Sequence, residues 1–251
     1  MPQGRAARLR QSAPFFAFCC GIRLNILHES PDLLVLDKPA GLLCVPGRGP
    51  DKQDCLSARA QARWPDALVV HRLDMATSGL VLMARGPAMQ RALSEAFAAR
   101  EVEKDYAAIV DGLPAPTDDW QLIDAPLMAD WPRRPLQKID PTGKPSLTHW
   151  RVRRRFEPQH ASLLELAPQT GRTHQLRVHL ASIGHPILGD ALYAGEAVAA
   201  RAQRLLLHAT RLAFAHPVTH QAMVFESAAP FSDFFASDPA SGAQSDASEG
   251  R

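Results

Sequence analysis

The chain has 251 residues, of which 46% are hydrophobic and 22% are charged, and its formal net charge is +2. This length can bury a substantial core, and the composition excludes a wholly disordered chain. Because no run of about 18 apolar residues occurs, no membrane-spanning helix is expected. The four cysteines form no CxxC pair, which disfavours a cysteine-based metal site and favours a reducing, cytoplasmic environment.

The two ends of the chain differ in composition from its middle. Residues 1–22 contain three arginines followed by a short apolar run. No clear small-residue cleavage site follows, so we expect a flexible N-terminal extension rather than a signal peptide. The segment from Ser237 onward is polar, small and unpatterned, which predicts a disordered tail over 233–251. A single folded domain is therefore expected over residues 23–232.

The first half of this domain mixes strand and helix patterns. Short apolar runs bounded by turn residues predict strands at 24–29, 33–39, 80–84 and 104–110. Asp54 is a candidate cap for a short helix that runs through Arg63. Pro87 at a first helical position, followed by apolar residues four apart, predicts an amphipathic helix over 87–99.

The second half is dominated by strand patterns. In 146–156, apolar and polar residues alternate, which predicts a strand with one packed face and one basic face. A loop at Glu157–His160 would connect it to a strand over 162–168. The segments 205–214 and 222–227 are typical of a closing hairpin. The whole pattern predicts one α+β domain with a mixed, mainly antiparallel sheet and flanking helices.

The small net charge conceals an uneven distribution. Residues 23–130 carry 11 basic and 16 acidic side chains, whereas residues 131–179 carry ten basic and three acidic ones. Because an anionic polymer responds to a local basic stripe rather than to the total, the small net charge does not exclude a nucleic-acid partner.

A polar segment, HRLDMATSG at 71–79, follows the apolar run ALVV. Its carboxylate, Asp74, lies at the end of a predicted strand, where side chains can face a cleft. From spacing alone, a turn in which Asp74 only accepts backbone N–H bonds is the favoured interpretation.

A second segment, TGRTHQLRVHLASIGHP at 170–186, predicts a helix that starts at Thr173 as N-cap. Arg172, Arg177 and the free N–H groups of the helix start could bind phosphate or carboxylate. A surface helix with solvated arginines fits the pattern equally well. A metal site at His174, His179 and His185 is disfavoured by their spacing, since His174 and His179 lie about 140° apart on a helix.

Two further features are candidates for contacts with nucleic acid. Tyr106 lies in a predicted strand and is either a packing residue or a platform for a planar base. In DWPRRP at 130–135, Arg133 and Arg134 lie beside a tryptophan between prolines. This composition favours a stiff cationic loop, although similar loops are common as inert surface turns.

Two of these segments, HRLDMATSG at 71–79 and TGRTHQLRVHLASIGHP extended to TGRTHQLRVHLASIGHPILGDALY at 170–193, occur together with four others in a fixed order. They are LDKPAGLLCVPG (36–47), EKDYAAIVDG (103–112), GKPSLT (143–148) and RLLLHA (204–209). The set resembles the RluA-type pseudouridine synthases, and the combination of HRLDxxTSG with GRTHQLRxH is highly specific. The resemblance implies that family's single catalytic domain with a central RNA-binding cleft.

The resemblance also implies roles for individual residues. Asp74 would be the catalytic aspartate, Arg177 would pair with it and keep it ionised, and Tyr106 would stack on the target uracil. Arg72 would fill the space that the extruded uridine leaves in the RNA. The remaining expected RNA-binding residues are His71, Arg133, Arg134, Arg172 and His174.

The implied reaction converts uridine to pseudouridine in structured RNA, namely a tRNA anticodon stem-loop, 23S rRNA or both. It needs no metal, nicotinamide or nucleotide cofactor, because nothing is oxidised and nothing leaves. Asp74 could attack C1′, add to C6 or take the C2′ proton. A monomer without an obligatory protein partner is expected. The alternative is an inactive RNA-binding protein that has kept the fold.

Overall fold

The computed structural model describes residues 24–116 and 119–231. The predicted extension over 1–22 and the predicted tail over 233–251 lie outside these residues. The strands are β1 (Asn25–Glu29), β2 (Leu33–Lys38), β3 (Ala67–Val69), β4 (Ser78–Arg85), β5 (Glu103–Asp111), β6 (Gln121–Asp124), β7 (Leu127–Ala129), β8 (Gln137–Ile139), β9 (Leu147–Phe156), β10 (Ala161–Pro168), β11 (Leu207–Ala215) and β12 (Ala222–Glu226). The helices are α1 (Leu56–Arg63), α2 (Pro87–Ala99), α3 (Gln175–Ser182) and α4 (Glu196–Ala199).

Most of the strands form one mixed sheet, in the order β1-β2-β4-β11-β5-β10-β9-β6. The strand β3 pairs with β4, and β12 pairs with β11. The contact between β4 and β11 is parallel, whereas the other pairs in this sheet are antiparallel. The strands β7 and β8 form a separate ribbon. The predicted α+β class with a mainly antiparallel sheet is confirmed.

The core has two parts on either side of the middle strands. One part packs the apolar strands β2 and β4 against α1 and α2. The other packs β5 and β10 against α3 and the segment before β11. Tyr106 contacts both parts. Since burial of apolar area is the main stabilising contribution to folding, these two clusters hold the middle of the sheet rigid.

Several boundaries agree closely with the sequence pattern. Helix α2 begins at Pro87 and ends at Ala99, as its periodicity predicts. The closing hairpin forms between β11 and β12. The predicted cap of α1 is wrong by one residue. Cys55 is the N-cap and its sulfur accepts the Ala58 N–H, while the Asp54 carboxylate binds the Arg59 guanidinium.

The alternation predicted for β9 holds over its first part only. Thr148 is buried, and Trp150 and Val152 pack against the core. A bulge then interrupts the register with β10, so that Leu164 pairs with Val152 while Leu163 pairs with Arg154. A bulge inserts one unpaired residue and shifts the following side chains to the opposite face, which ends the simple basic-face pattern.

The parallel contact between β4 and β11 requires a glycine. Gly79 has φ +112°, and a Cβ there would lie 2.3 Å from the Ala209 carbonyl oxygen. Only glycine allows this approach without strain or a clash. The contact places the segment before β4, which contains Asp74, beside the middle of the sheet. Among the described residues, no helix is long and apolar enough to cross a membrane.

Candidate active site

A cleft of about 500 Å³ lies over β11, β5 and β10, the middle strands of the sheet. Its walls are the segment before β4, the end of α2 with the start of β5, and the turn that leads into α3. Its polar lining residues are His71, Arg72, Asp74, Thr77, Arg100, Lys104, Tyr106, Gln169, Thr170, Arg172, His174, Gln175 and Arg177. The structure therefore brings together seven of the nine site residues that the sequence predicted.

Asp74 is half-buried in this cleft. Its backbone carbonyl accepts the Thr77 N–H at 3.2 Å. Among the described residues, its carboxylate has no hydrogen bond or ion pair. The alternative in which this carboxylate only accepts turn N–H bonds is therefore wrong. Asp74 is also the only carboxylate among the described residues that line the cleft.

A buried lysine forms hydrogen bonds with the backbone of the segment that carries Asp74. Lys38 is fully buried, and its ammonium donates to the carbonyls of Pro39, Leu42 and Met75 at 2.9, 2.8 and 3.1 Å. Burial lowers its pKa to about 8. The backbone N–H of Gly41 also donates to the Met75 carbonyl. These bonds fix the backbone of the residue that follows Asp74.

Sequence reasoning did not identify Lys38 as a site residue. The available signal was a lysine at the end of the apolar strand LLVLDK, within the segment 36–47. A fully buried lysine is rare unless its ammonium is hydrogen-bonded. The sequence shows the unusual position of Lys38, but the three carbonyls that accept hydrogen bonds from its ammonium come together only in the folded chain.

Tyr106 lies on β5 and lines the same cleft as Asp74. Burial, and then the charge of Asp74, raise the pKa of its phenol well above the usual range. The hydroxyl therefore stays protonated at neutral pH and can donate to an anion or to a base. The ring packs against both core clusters, and this packing restricts its orientation.

Arg177 does not pair with Asp74, and this expectation from the resemblance is wrong. Its Nε and Nη2 donate to the two carboxylate oxygens of Asp190 at 2.8 and 2.6 Å. Both side chains are buried, so the interpretation of α3 as a surface helix with solvated arginines is also wrong. Arg177 still lines the cleft and acts on Asp74 through its charge.

The start of α3 differs from its prediction. His174, not Thr173, is the N-cap, and it has a left-handed backbone with φ 55° and no side-chain cap bond. Its Nδ1 is hydrogen-bonded to the Tyr193 hydroxyl at 2.6 Å. That hydroxyl also accepts the Gln137 N–H. Burial lowers the pKa of His174, so a neutral imidazole faces the cleft.

His71 and Arg72 have opposite environments although they are adjacent. The His71 Nε2 accepts the Leu82 N–H at 2.9 Å, and the ring stacks on Phe97. Burial, with the charge of Lys104, lowers the pKa of His71 to about 3. The side chain of Arg72 is exposed at the cleft rim, with no hydrogen bond or ion pair to any described residue.

The other predicted arginines lie further out. Arg172 lines the cleft, and its only side-chain bond among the described residues is to the Pro145 carbonyl at 3.3 Å. Arg133 and Arg134 do not line it. Arg133 forms an ion pair with Asp130, and Arg134 stacks 3.4 Å from the centre of the Trp131 ring. They lie between β7 and β8, on a surface outside the cleft.

The charge of the cleft favours an anionic ligand. Five cations line it, namely Arg72, Arg100, Lys104, Arg172 and Arg177. Only Arg177 has a carboxylate partner among the described residues. No group of three or more metal-ligating side chains occurs in the described part of the chain. The site is thus one unpaired carboxylate in a cationic, partly apolar cleft.

The chain matches the model of a known protein family. The family model described as RNA pseudouridylate synthase matches residues 32–182. The chain therefore belongs to the RNA pseudouridine synthases, in their RluA-type branch, and its predicted class as an isomerase is confirmed.

Individual relatives are similar over most of their length. The chain is 45% identical over 209 residues to the dual-specificity RNA pseudouridine synthase RluA of Escherichia coli K12, covering 83% of this chain and 94% of that protein. It is 45% identical over 207 residues to RluA of Yersinia pestis, covering 82% and 99%. A solved human structure, RNA Pseudouridylate Synthase Domain Containing 1, matches with a TM-score of 0.69 at 29% identity, covering 83% of this chain and 84% of that one.

Proposed function

We propose that this enzyme isomerises specific uridines to pseudouridine in structured RNA, in a tRNA anticodon stem-loop, in 23S rRNA or in both. The observation that carries the proposal is the carboxylate of Asp74, which is unpaired among the described residues and lies with Tyr106 in a cleft whose other described lining charges are cationic. A phosphate-rich ligand suits those cations, whereas a small neutral substrate would leave them without partners.

The reaction needs only one carboxylate. The N1–C1′ bond of uridine breaks, the base turns, and C5 joins C1′, while C5 loses a proton and N1 gains one. Asp74 can begin this by attacking C1′, by adding to C6 or by taking the C2′ proton. A glycoside hydrolase would use a second carboxylate to activate water. Among the described lining residues Asp74 has no such neighbour.

Tyr106 and Arg72 would receive the flipped nucleotide. A uridine must leave the stack before its C1′ can be reached, at a cost of a few kcal/mol. The fixed ring of Tyr106 supplies a face on which the uracil can stack while its bond to the sugar is broken. Arg72 has an exposed guanidinium with no partner among the described residues, and its planar shape can occupy the vacated place in the RNA.

The other RNA contacts would lie around and outside the cleft. Arg172 and His174 lie in the wall formed by the turn that leads into α3, and His71 contributes a neutral ring to another wall. Arg133 and Arg134, which lie outside the cleft, would bind the RNA backbone. We further propose that the enzyme acts in the cytoplasm as a monomer, without an obligatory protein partner. We also propose that it needs no cofactor, since the isomerisation is balanced without a co-reactant.

The test is release of tritium from RNA that contains 5-tritiated uridine, without added metal or nucleotide. The wild type should release tritium, because C5 loses its hydrogen when it bonds to C1′. Asp74→Asn should release none but should still bind the RNA. Asp51→Asn, which changes an exposed carboxylate outside the cleft, serves as the control and should remain active.

The outcomes separate the candidate functions. RNA binding by the wild type without tritium release would support the alternative of an inactive RNA-binding protein. Tritium release that survives Asp74→Asn would contradict the role of this carboxylate. Activity that appears only with added metal would contradict the absence of a cofactor.

A further inference from the structure

Two cations at one wall of the cleft have no role in the mechanism above. Helix α2 ends at Ala99, Arg100 follows as its C-cap, and β5 begins at Glu103. Arg100 is exposed and Lys104 is half-buried, and both line the cleft. Lys104 precedes Tyr106 by two residues on the same strand, so the two side chains lie on the same face of the sheet, about 7 Å apart along it.

These two side chains lack compensating anions. Among the described residues, neither forms a hydrogen bond or an ion pair, and the nearest ring to the Lys104 ammonium is Phe97, at 5.9 Å. Burial and the positive charge of Arg100 both lower the pKa of Lys104. The C-terminal end of α2 offsets part of this repulsion. The positive charges of Arg100 and Lys104 nevertheless lie on one wall of the cleft, and among the described residues no carboxylate pairs with either of them.

The backbone at Arg100 is also unfavourable for an arginine. Its φ of 64° is in the left-handed region. Helices that end in this way usually have glycine there, because a Cβ costs free energy in that conformation. Stability alone would thus favour glycine. The arginine places a guanidinium at the cleft instead, which points to a ligand for this side chain.

We propose that Arg100 and Lys104 together bind one backbone phosphate of the RNA next to the flipped uridine. The inference rests on the proposed function and adds a phosphate subsite to it. A phosphodiester offers two acceptor oxygens, which suit one guanidinium and one ammonium. With the uracil on Tyr106, a phosphate of the same or the adjacent nucleotide can lie beside Lys104. Because phosphate contacts carry no base information, the subsite positions every RNA substrate alike.

The experiment measures binding of a synthetic tRNA anticodon stem-loop to the Asp74→Asn protein, which holds the RNA without converting it. Lys104→Met and Arg100→Gly are introduced into this parent, with Arg91→Gln as control. Arg91 is an exposed arginine of α2 that does not line the cleft. Lys104→Met and Arg100→Gly should each weaken binding about 10-fold. The double variant Arg100→Gly with Lys104→Met should also reduce the slope of log affinity against log salt by about 0.7, the value for one phosphate.

Two further readouts separate phosphate binding from a structural role. Arg100→Gly should not lower the midpoint of thermal unfolding, because glycine suits the left-handed position. Uncharged methylphosphonates are also placed at each position of the stem-loop in turn. One position should weaken binding by the parent at least as much as Lys104→Met does, and combining that position with Lys104→Met should cause no further loss.

The possible failures are distinct. If the parent binds neither this stem-loop nor a 23S rRNA fragment, the proposed function fails and this inference fails with it. If the parent binds and both variants bind equally well with an unchanged salt slope, only the phosphate subsite is refuted. The subsite is also refuted if Lys104→Met adds to the loss at every methylphosphonate position.

Discussion

The buried pair between Arg177 and Asp190 should be one of the most sensitive points of the fold. Asp190→Asn keeps the shape of the side chain but removes its charge. In the wild type, the carboxylate accepts two bonds from the Arg177 guanidinium and two more from the N–H groups of Leu192 and Tyr193. The asparagine oxygen can still accept the backbone bonds, so the main loss is the charge opposite Arg177.

The expected cost follows from the burial of both partners. The side chains of Arg177 and Asp190 are only 5% and 1% exposed. Removing one partner of such a pair leaves an uncompensated buried charge and costs about 3–5 kcal/mol. For a domain of this size, each kcal/mol lowers the unfolding midpoint by roughly 2–4 °C. We therefore expect a decrease of about 6–20 °C.

The assays are urea unfolding, which gives the free energy of unfolding, and thermal unfolding, which gives the midpoint temperature, both followed by circular dichroism. Asp54→Asn is the control, since Asp54 forms a similar two-bond pair with Arg59 but is 48% exposed. Its loss should be below about 1 kcal/mol. The double variant Arg177→Met with Asp190→Asn should be more stable than Asp190→Asn alone, because it removes the unpaired charge. A loss below about 1 kcal/mol for Asp190→Asn, or no recovery in the double variant, would refute the reasoning.

Three further predictions concern other parts of the molecule. Replacing both Arg133 and Arg134 by alanine should weaken RNA binding and flatten its salt dependence in filter-binding assays; an unchanged slope would contradict their contact with the backbone. Lys38→Met should unfold at lower urea, since three buried carbonyls lose their donor. The folded chain releases the Lys38 proton near pH 8 and the unfolded chain near 10.5, so the stability of the wild type relative to Lys38→Met should rise over that range. A stability difference that stays constant with pH would argue against the lowered pKa of Lys38. Gly79→Ala should prevent folding or cost several times more than Gly86→Ala, since only the first Cβ meets backbone, at 2.3 Å; equal urea midpoints would exclude the clash.

Local patterns were sufficient for most of the secondary structure. The helix over 87–99 was predictable because its proline start and apolar spacing involve residues within one or two turns of each other. The apolar runs of β2 and β4 were recognisable because both faces of these strands are buried. Boundaries that depend on a cap or a bulge were less predictable, as the Cys55 cap and the irregular end of β9 show.

The candidate site was likewise predictable from the sequence only in part. The motifs marked Asp74, Tyr106 and Arg177 because their residue types and order resemble a family. The motifs could not identify the partner of Arg177, since Asp190 lies 13 residues further along, beyond the end of α3. They also left Arg100 and Lys104 unnoticed, because neither residue is unusual until both are found on one wall of a cleft.

The sequence by itself determined most of the segments that become strands and helices, although not β6, β7 and β8, and most of the residues that can carry the chemistry. Only the tertiary structure decided which charges are paired and which are free. Lys38 is satisfied by carbonyls up to 37 residues away, Arg177 is neutralised by Asp190, and Asp74 remains unpaired among the described residues. The reason is physical: secondary structure depends on neighbours within a few residues, whereas desolvation and ion pairing depend on groups that only the packing of distant segments brings together.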